Sequence, residues 1–357
     1  MVEFAGYWLP VFYPDGVKKE HLHCRQSASL FDVSHMGQIR VVGPDAVAFV
    51  ESLVVGDIKS LKPGNSQLSL LTNERGGIID DTVITKLDDN NVGMVINGAC
   101  KHKDLAHMRS QLSEGKFEAD IQHFTTKSLF ALQGPQAAAA IEPYLEGVDL
   151  ENMLFMESSD AKVAGLDCTV TRCGYTGEDG FEISVENNAA GDLMDTLLGQ
   201  EQVKPAGLGA RDSLRLEAGL CLYGIDLNDD ITPNEASLLW TIGKRRREEG
   251  GFLGADVILG QIKNKPTIKR AGFMIEGAPA RAHVELFAEP GSEEKIGEIT
   301  SGTFSPTLGK PIAMGYINKK GGKNGTTVYA KVRNKYVPAV VTKMPFVPAH
   351  YYRGPGN

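Results

Sequence analysis

Short apolar runs punctuated by glycine turns dominate this chain, and only a few stretches carry the wider spacing of a helix. The most informative stretch is residues 68–97. It reads as a strand, a turn at Gly76-Gly77, a second strand, a turn over residues 88–91 and a third strand ending at Asn97. A Gly-Gly pair between β-rich runs is a hairpin signal. Successive strand side chains alternate faces, so Asp80, Thr82 and Ile84 share one face, and Ile79, Asp81, Val83 and Thr85 share the other. Asp81 is flanked on its own face by Ile79 and Val83. A carboxylate there is costly to bury unless it is paired, hydrogen-bonded or neutral. Such an acid is either a strand cap or partner of a structural arginine, or a functional group whose pKa is moved by its surroundings. The pattern alone leaves both open.

Helical spacing predicts helices over residues 44–53 and 101–112, the latter with Leu105, Met108 and Leu112 on one face. Further helices are expected over 136–145, ended or kinked by Pro143, and over 188–198 and 208–218. Short strands are expected at 38–42 and 128–133. Residues 164–185 repeat the earlier theme: strand 168–173, a glycine-punctuated turn over 174–180, then strand 181–185. Phe181, Ile183 and Val185 point to the core, so the pattern makes Glu182 a solvated residue of the polar face. The helix over 208–218 places Arg211 and Arg215 one turn apart on one face. Like charges repel there, so acidic partners or an anionic ligand are expected. From residue 269 to 341 short strands alternate with turns, at 272–275, 296–301, 313–317, 327–332 and 337–341. That predicts a separate all-β barrel or sandwich. The segment 343–352 is stiffened by Pro345 and Pro348 and carries Phe346, Tyr351 and Tyr352. It is expected to pack against the body of the protein.

Composition narrows the class. The chain has 357 residues, room for two or three domains, with ordinary apolar (42%) and charged (23%) content and 40 glycines, which favours a β-rich mixed fold over a helical bundle. A formal charge of −8 argues against nucleic acid as a partner, since such binding rests on Lys and Arg contacts to phosphate. The exception is the basic run Lys244-Arg245-Arg246-Arg247, whose plain reading is a solvated helix end. The five cysteines form no CxxC pair and read as free thiols of a reducing compartment. No apolar run is long enough for a membrane span, and because Met1 leads directly into Val2-Glu3-Phe4 no signal peptide is expected in this stretch. His21, His23 and Cys24 lie close together. As a strand they would divide between two faces, and no second ligand pair follows, so no metal is expected. Gly207-Leu208-Gly209 lacks the third glycine of a dinucleotide turn, and neither a P-loop nor a Gly-x-Ser-x-Gly elbow occurs.

Several stretches together resemble one family, aminomethyltransferase, the T-protein of the glycine cleavage system. They are Phe31-Asp32-Val33-Ser34-His35-Met36, Glu51-Ser52-Leu53-Val54-Val55-Gly56-Asp57, Gly76-Gly77-Ile78-Ile79-Asp80-Asp81, Arg172-Cys173-Gly174-Tyr175-Thr176-Gly177-Glu178-Asp179-Gly180, the run from Ala210 to Leu220, and Lys343-Met344-Pro345-Phe346-Val347-Pro348. Their number, order and spacing carry the match. Two runs, Trp240 to Arg247 and Met344 to Pro348, look most like the mitochondrial branch, whereas the residues before Phe4-Ala5-Gly6 are fewer than the family usually carries. The resemblance implies a three-domain α+β, β-rich cloverleaf with a C-terminal all-β barrel and a central folate cavity. Residues 1–265 would form the folate-binding region, as two intertwined α+β subdomains with the second centred on about 45–130, and residues 266–357 the barrel. It implies transfer of the methylene carbon of the aminomethyl-lipoyl H-protein to tetrahydrofolate, with release of ammonia. Tetrahydrofolate would be a substrate, lipoate would stay on the partner, and neither metal, nucleic acid nor membrane would be involved. Carried over by position, Asp81 would act at the reactive pterin edge, while Glu182, Arg211 and Tyr351 would bind folate. Met36, Asn97, Tyr175 and Trp240 would line the cavity. The resemblance also implies a mitochondrial matrix location in a eukaryote, with the targeting peptide outside this chain, or otherwise the cytoplasm. Competing implications are a folate-dependent demethylase of the same fold, the folate domain of a sarcosine-type dehydrogenase (which normally comes with a flavin domain) or a non-catalytic folate-binding accessory protein.

Overall fold

The structure, a computed structural model, describes residues 1–356. Two compact units are present. One comprises residues 1–71, 80–211 and the C-terminal residues from 350; the other comprises residues 72–79 and 212–349.

The first unit is built on a seven-stranded sheet. Its order is Leu145–Glu146, Ser158–Val163, Leu166–Thr171, Gly180–Glu186, Lys127–Gln133, Ala28–Asp32 and Val203–Pro205. The pairing is antiparallel except at Val203–Pro205, which lies parallel to Ala28–Asp32. Phe130, Leu132, Phe181, Ile183 and Val185 come from adjacent strands of this sheet and share one core with Ala137, Ala140 and Ile141 and with Leu193 and Leu197. Those last two groups belong to the helices Ala137–Ile141 and Ala190–Leu198. Pro143 acts as expected: the α-helix stops at Ile141 and a 3-10 turn follows at Glu142–Tyr144.

A five-stranded sheet runs in the order Ser66–Thr72, Ile78–Asp88, Asn91–Ile96, Gly37–Val42 and Asp120–Phe124. The expected double hairpin is there, followed by the helix Lys101–Leu112. The burial of Ile78–Asp88 departs from the expectation. Its first three residues are all buried, and beyond them Thr82 and Ile84 are buried while Asp81, Val83 and Thr85 are only half-buried. The acid on the fully buried face is therefore Asp80, not Asp81, because that face looks toward Asp104 of the helix. His21, His23 and Cys24 belong to a helix, Gly16–Gln26, rather than a strand.

The second unit contains a closed six-stranded barrel in the order Ile268–Ile275, Lys310–Asn318, Lys295–Ser305, Glu285–Phe287, Thr327–Val332 and Lys335–Thr342. The last strand pairs back onto the first, with Phe273 opposite Val341. Closure removes the edges that an open sheet leaves for other chains. Five of these strands match short apolar runs in the sequence. Glu285–Phe287 has three residues, too few to show a period of two. Beside the barrel, in the same unit, Arg215 is buried among carboxylates. It donates to Asp226 at 2.7 Å and to Asp212 at 2.9 Å, and also to the Ser301 hydroxyl.

Candidate active site

Asp80, Asp81 and Asn97 form one hydrogen-bonded group. Asn97 ends the strand Asn91–Ile96, next to Ile78–Asp88. Its side-chain Nδ2 donates to Asp80 Oδ1 (2.9 Å), to Asp81 Oδ1 (2.9 Å) and to the Asp81 backbone carbonyl (3.1 Å). Its backbone N–H donates to Asp80 Oδ2 (3.0 Å). All three oxygens around Nδ2 are acceptors, which fixes the orientation of the amide. Two adjacent carboxylates are thus held by one neutral donor group. Asp80 is wholly buried and Asp81 half-buried, so Asp81 is the acid that an incoming molecule can meet.

A second group surrounds Glu182 and Arg211. Glu182 lies on the strand Gly180–Glu186 and pairs across the ladder with Thr171 and Ala131. Its side chain is half-buried rather than solvated as the strand pattern suggests. Burial raises the Glu182 carboxyl pKa, and the Arg211 guanidinium opposes that rise. Arg211 lies on the helix Leu208–Glu217, 4.8 Å from the centre of the Tyr175 ring. Its Nη1 is buried without a hydrogen-bond partner. Burial pulls the Cys173 thiol well above its ordinary pKa, and the negative charge of Glu182 adds to this. It is therefore a poor nucleophile.

The turn that carries Tyr175 is rigidly supported. Arg172 donates from Nε and Nη2 to both oxygens of Asp179, at 2.9 and 2.6 Å, and from Nη1 to the carbonyls of Leu150 and Met153. Gln133 accepts from Thr176 (2.8 Å) and donates to the Cys173 carbonyl (2.9 Å). Glu178, also buried, takes Arg25 at 2.8 Å and His350 at 3.0 Å. Of the C-terminal segment, the residues from 350 on pack within this unit. Tyr351 stacks on Phe155 with ring centres 4.0 Å apart, and Arg172 lies 3.9 Å from the centre of the Tyr352 ring.

His35 adjoins Gly98 and feels the charge of Arg211, and was not singled out by the sequence pattern. It is buried, packs against Gly98 next to Asn97, and lies edge-on to Phe4. Burial first, then the charges of Arg211 and Lys101, push its pKa down to about 4, so it is neutral at pH 7. Met36 follows it and is half-buried. The sequence thus picked Asp81, Asn97, Glu182, Arg211, Tyr175, Tyr351 and Met36, all in the first unit, and missed Asp80, His35 and Asp104. For Asp104 there was a signal: an acid at helical spacing with Leu105 and Met108 on the apolar side. Trp240 belongs to the second unit and is 63% exposed there, whereas the seven residues above are half-buried in the first. The basic run is also more structural than its composition suggests. Arg246 is buried against Phe252, Arg247 donates to the carbonyls of Ile242 and Leu239, and Arg245 pairs with Glu249. Among the described residues, no three or more His, Cys, Asp or Glu side chains gather in a way that holds a metal ion.

Two family models match the chain: the GCVT N-terminal domain over residues 1–246, and the glycine cleavage T-protein C-terminal barrel domain over residues 269–348. The mitochondrial aminomethyltransferase of Dictyostelium discoideum is 50% identical over 363 residues, covering 98% of this chain and 90% of that protein. The mitochondrial aminomethyltransferase of Gallus gallus is 50% identical over 355 residues, covering 99% and 90%. Among solved structures, the glycine cleavage system aminomethyltransferase T of Bartonella henselae superposes with a TM-score of 0.92 at 40% identity, over 99% of this chain and 95% of that one.

Proposed function

The chain belongs to the aminomethyltransferase family, the T-proteins of the glycine cleavage system, and from that premise we propose that its one-carbon acceptor is tetrahydrofolate and its donor the aminomethylated lipoyl arm of H-protein. In that reaction a folate amine attacks the methylene carbon that bears both sulfur and nitrogen. The C–S and C–N bonds break, two C–N bonds form to folate, and the products are 5,10-methylenetetrahydrofolate, ammonia and the dihydrolipoyl arm. The nucleophile comes from folate, so the protein need supply none. Its tasks are to orient an amine against the carbon and to stabilise developing positive charge.

The observation that carries this reading is the Asn97 amide, which holds Asp81 at 2.9 Å on the half-buried face of its strand. A carboxylate fixed in this way is preorganised to stabilise a cationic centre. It acts electrostatically in this reading, with proton transfer a lesser role. Glu182 suits the donor-rich amino and N–H edge of a pterin. Arg211 opposes the rise that burial imposes on the Glu182 pKa and offers a buried, unused N–H. Tyr175, Met36 and Tyr351 supply apolar and flat surface beside these groups. The matrix of mitochondria is the proposed location, since the relatives are named mitochondrial.

The test is to mix the protein with tetrahydrofolate and aminomethylated H-protein and to measure ammonia and 5,10-methylenetetrahydrofolate together. The parent should release both, dependent on folate. Asp81→Asn should lower kcat by about 10²–10³-fold, the usual cost of losing one preorganised electrostatic group. Full activity in that variant would remove Asp81 from the chemistry. Formation of 5-methyltetrahydrofolate without a carrier protein would replace the whole reading by a demethylase.

A further inference from the structure

Behind Asp81 lies a third acid that the proposed chemistry does not use. Asp104, in the first turn of the helix Lys101–Leu112, is fully buried. Neither of its carboxyl oxygens receives a hydrogen bond. The group it faces is Asp80, itself fully buried, with Asp81 further away. Asp80 is already well supplied as an acceptor: both its oxygens take N–H groups of Asn97, and the Cys100 thiol points at it as well. The remaining charged group near Asp104 is Lys103 on its own helix.

Two ionised carboxylates in that position, both fully buried, would repel each other, and both oxygens of Asp104 would be unsatisfied acceptors. One proton removes the repulsion and turns one of those oxygens into a donor. A neutral Asp104 becomes a donor, and the acceptor it faces is Asp80. Burial, then the charge of Asp80, drive its pKa up to about 10, in line with this geometry. Such pairs sharing one proton arise wherever like charges are forced together.

We propose that Asp104 is a positioning residue for the transfer reaction: as a carboxylic acid it donates to Asp80, and the Asp80–Asn97 pair so fixed aims the Asp81 carboxylate. The proposal rests on the assignment of Asp81 given above. It also gives the acids distinct tasks: Asp104 donates to Asp80 at the back, and Asp81 faces the incoming molecule at the front. Asn97 donates to Asp80 through two N–H groups. A shift of Asp80 therefore moves the amide that holds Asp81.

The experiment has a spectroscopic and a kinetic arm on the full-length protein. Infrared spectra of protein labelled with ¹³C at aspartate carboxyls should show a carboxylic-acid C=O band at pH 7.5, absent in Asp104→Asn. In the glycine cleavage assay, Asp104→Asn keeps an N–H donor toward Asp80 and should retain kcat within about threefold. Asp104→Ala should lose kcat by tenfold or more, with KM for tetrahydrofolate unchanged. The alkaline limb of kcat that reports loss of the Asp104 proton should be present in the parent and missing in Asp104→Asn. Absence of the acid band overturns the proposal. So does a loss in Asp104→Asn as large as in Asp104→Ala, or full kcat in a folded Asp104→Ala. A parent without folate-dependent turnover would instead defeat the proposed transfer reaction, and the band would still report the state of Asp104.

Discussion

At the scale of the residue, what matters in the site is how each charge is kept in its useful state. Glu182 shows the balance. Burial favours its neutral form and Arg211 opposes this. Removing the guanidinium, as in Arg211→Gln, leaves burial unopposed, so the Glu182 pKa climbs further. Tetrahydrofolate affinity measured by calorimetry at pH 7 should then fall by about tenfold or more, the scale of one lost charge-assisted interaction. Part of that loss should return as pH rises and Glu182 ionises, while the parent stays flatter. The sequence marked Glu182 only through the family resemblance. Its strand alternation called for a solvated residue, and the pattern carries no information about a helix that brings Arg211 over the polar face.

At the scale of the element, the hairpin over Ser66–Thr72 and Ile78–Asp88 was legible from its Gly-Gly turn, but the reason for the second glycine was not. Within the second unit, a methyl group on Gly77 would overlap the backbone carbonyl of Asp229 and crowd the Asn73 side chain. Asn73 caps this turn, with Oδ1 accepting from the N–H groups of Arg75 and Gly77 and Nδ2 donating to the Asp229 carbonyl. The obstacle is backbone, which cannot swing aside as a side chain does. Gly77→Ala should therefore cost about 1–3 kcal/mol as an overpacking substitution. It should show as a lower urea midpoint at unchanged m-value. A midpoint equal to the parent's would mean that the turn is looser than this contact implies. Other elements were easier. The helix Lys101–Leu112 and the strand Thr327–Val332 fall where apolar periodicity placed them, because each is long enough to repeat its period.

At the scale of the whole molecule, buried titratable groups tie stability to pH. His35 is held neutral, with its pKa lowered from 6.5 to about 4. The unfolded chain therefore binds a proton there that the folded protein refuses, over the window between those values. The His35 contribution is fully present above about pH 6.5 and is lost progressively as pH falls toward 4, by about 3 kcal/mol at one pKa unit per 1.36 kcal/mol. Denaturant unfolding at pH 7 and pH 4.5 should show this slope in the parent and a shallower one in His35→Leu. Equal slopes would assign the acid sensitivity to other groups.

The sequence by itself determined the class of protein, the order of its main elements, its barrel and its family. These follow from apolar spacing, turn residues and local motifs, all of which are properties of neighbours along the chain. It also pointed to Asp81, Asn97 and Arg211, through the resemblance. Only the tertiary structure decided what each charged group does. It put Asp80 rather than Asp81 on the sealed face, turned the Asn97 amide toward both acids and brought Asp104 from a separate helix behind them. It also gave Arg215 the buried acid Asp226 and the half-exposed Asp212, and left Arg211 to Glu182. The physical reason is one of range. Hydrophobic periodicity is read residue by residue, whereas the ionisation of a buried group depends on charges and donors that distant segments carry to within a few ångströms of it.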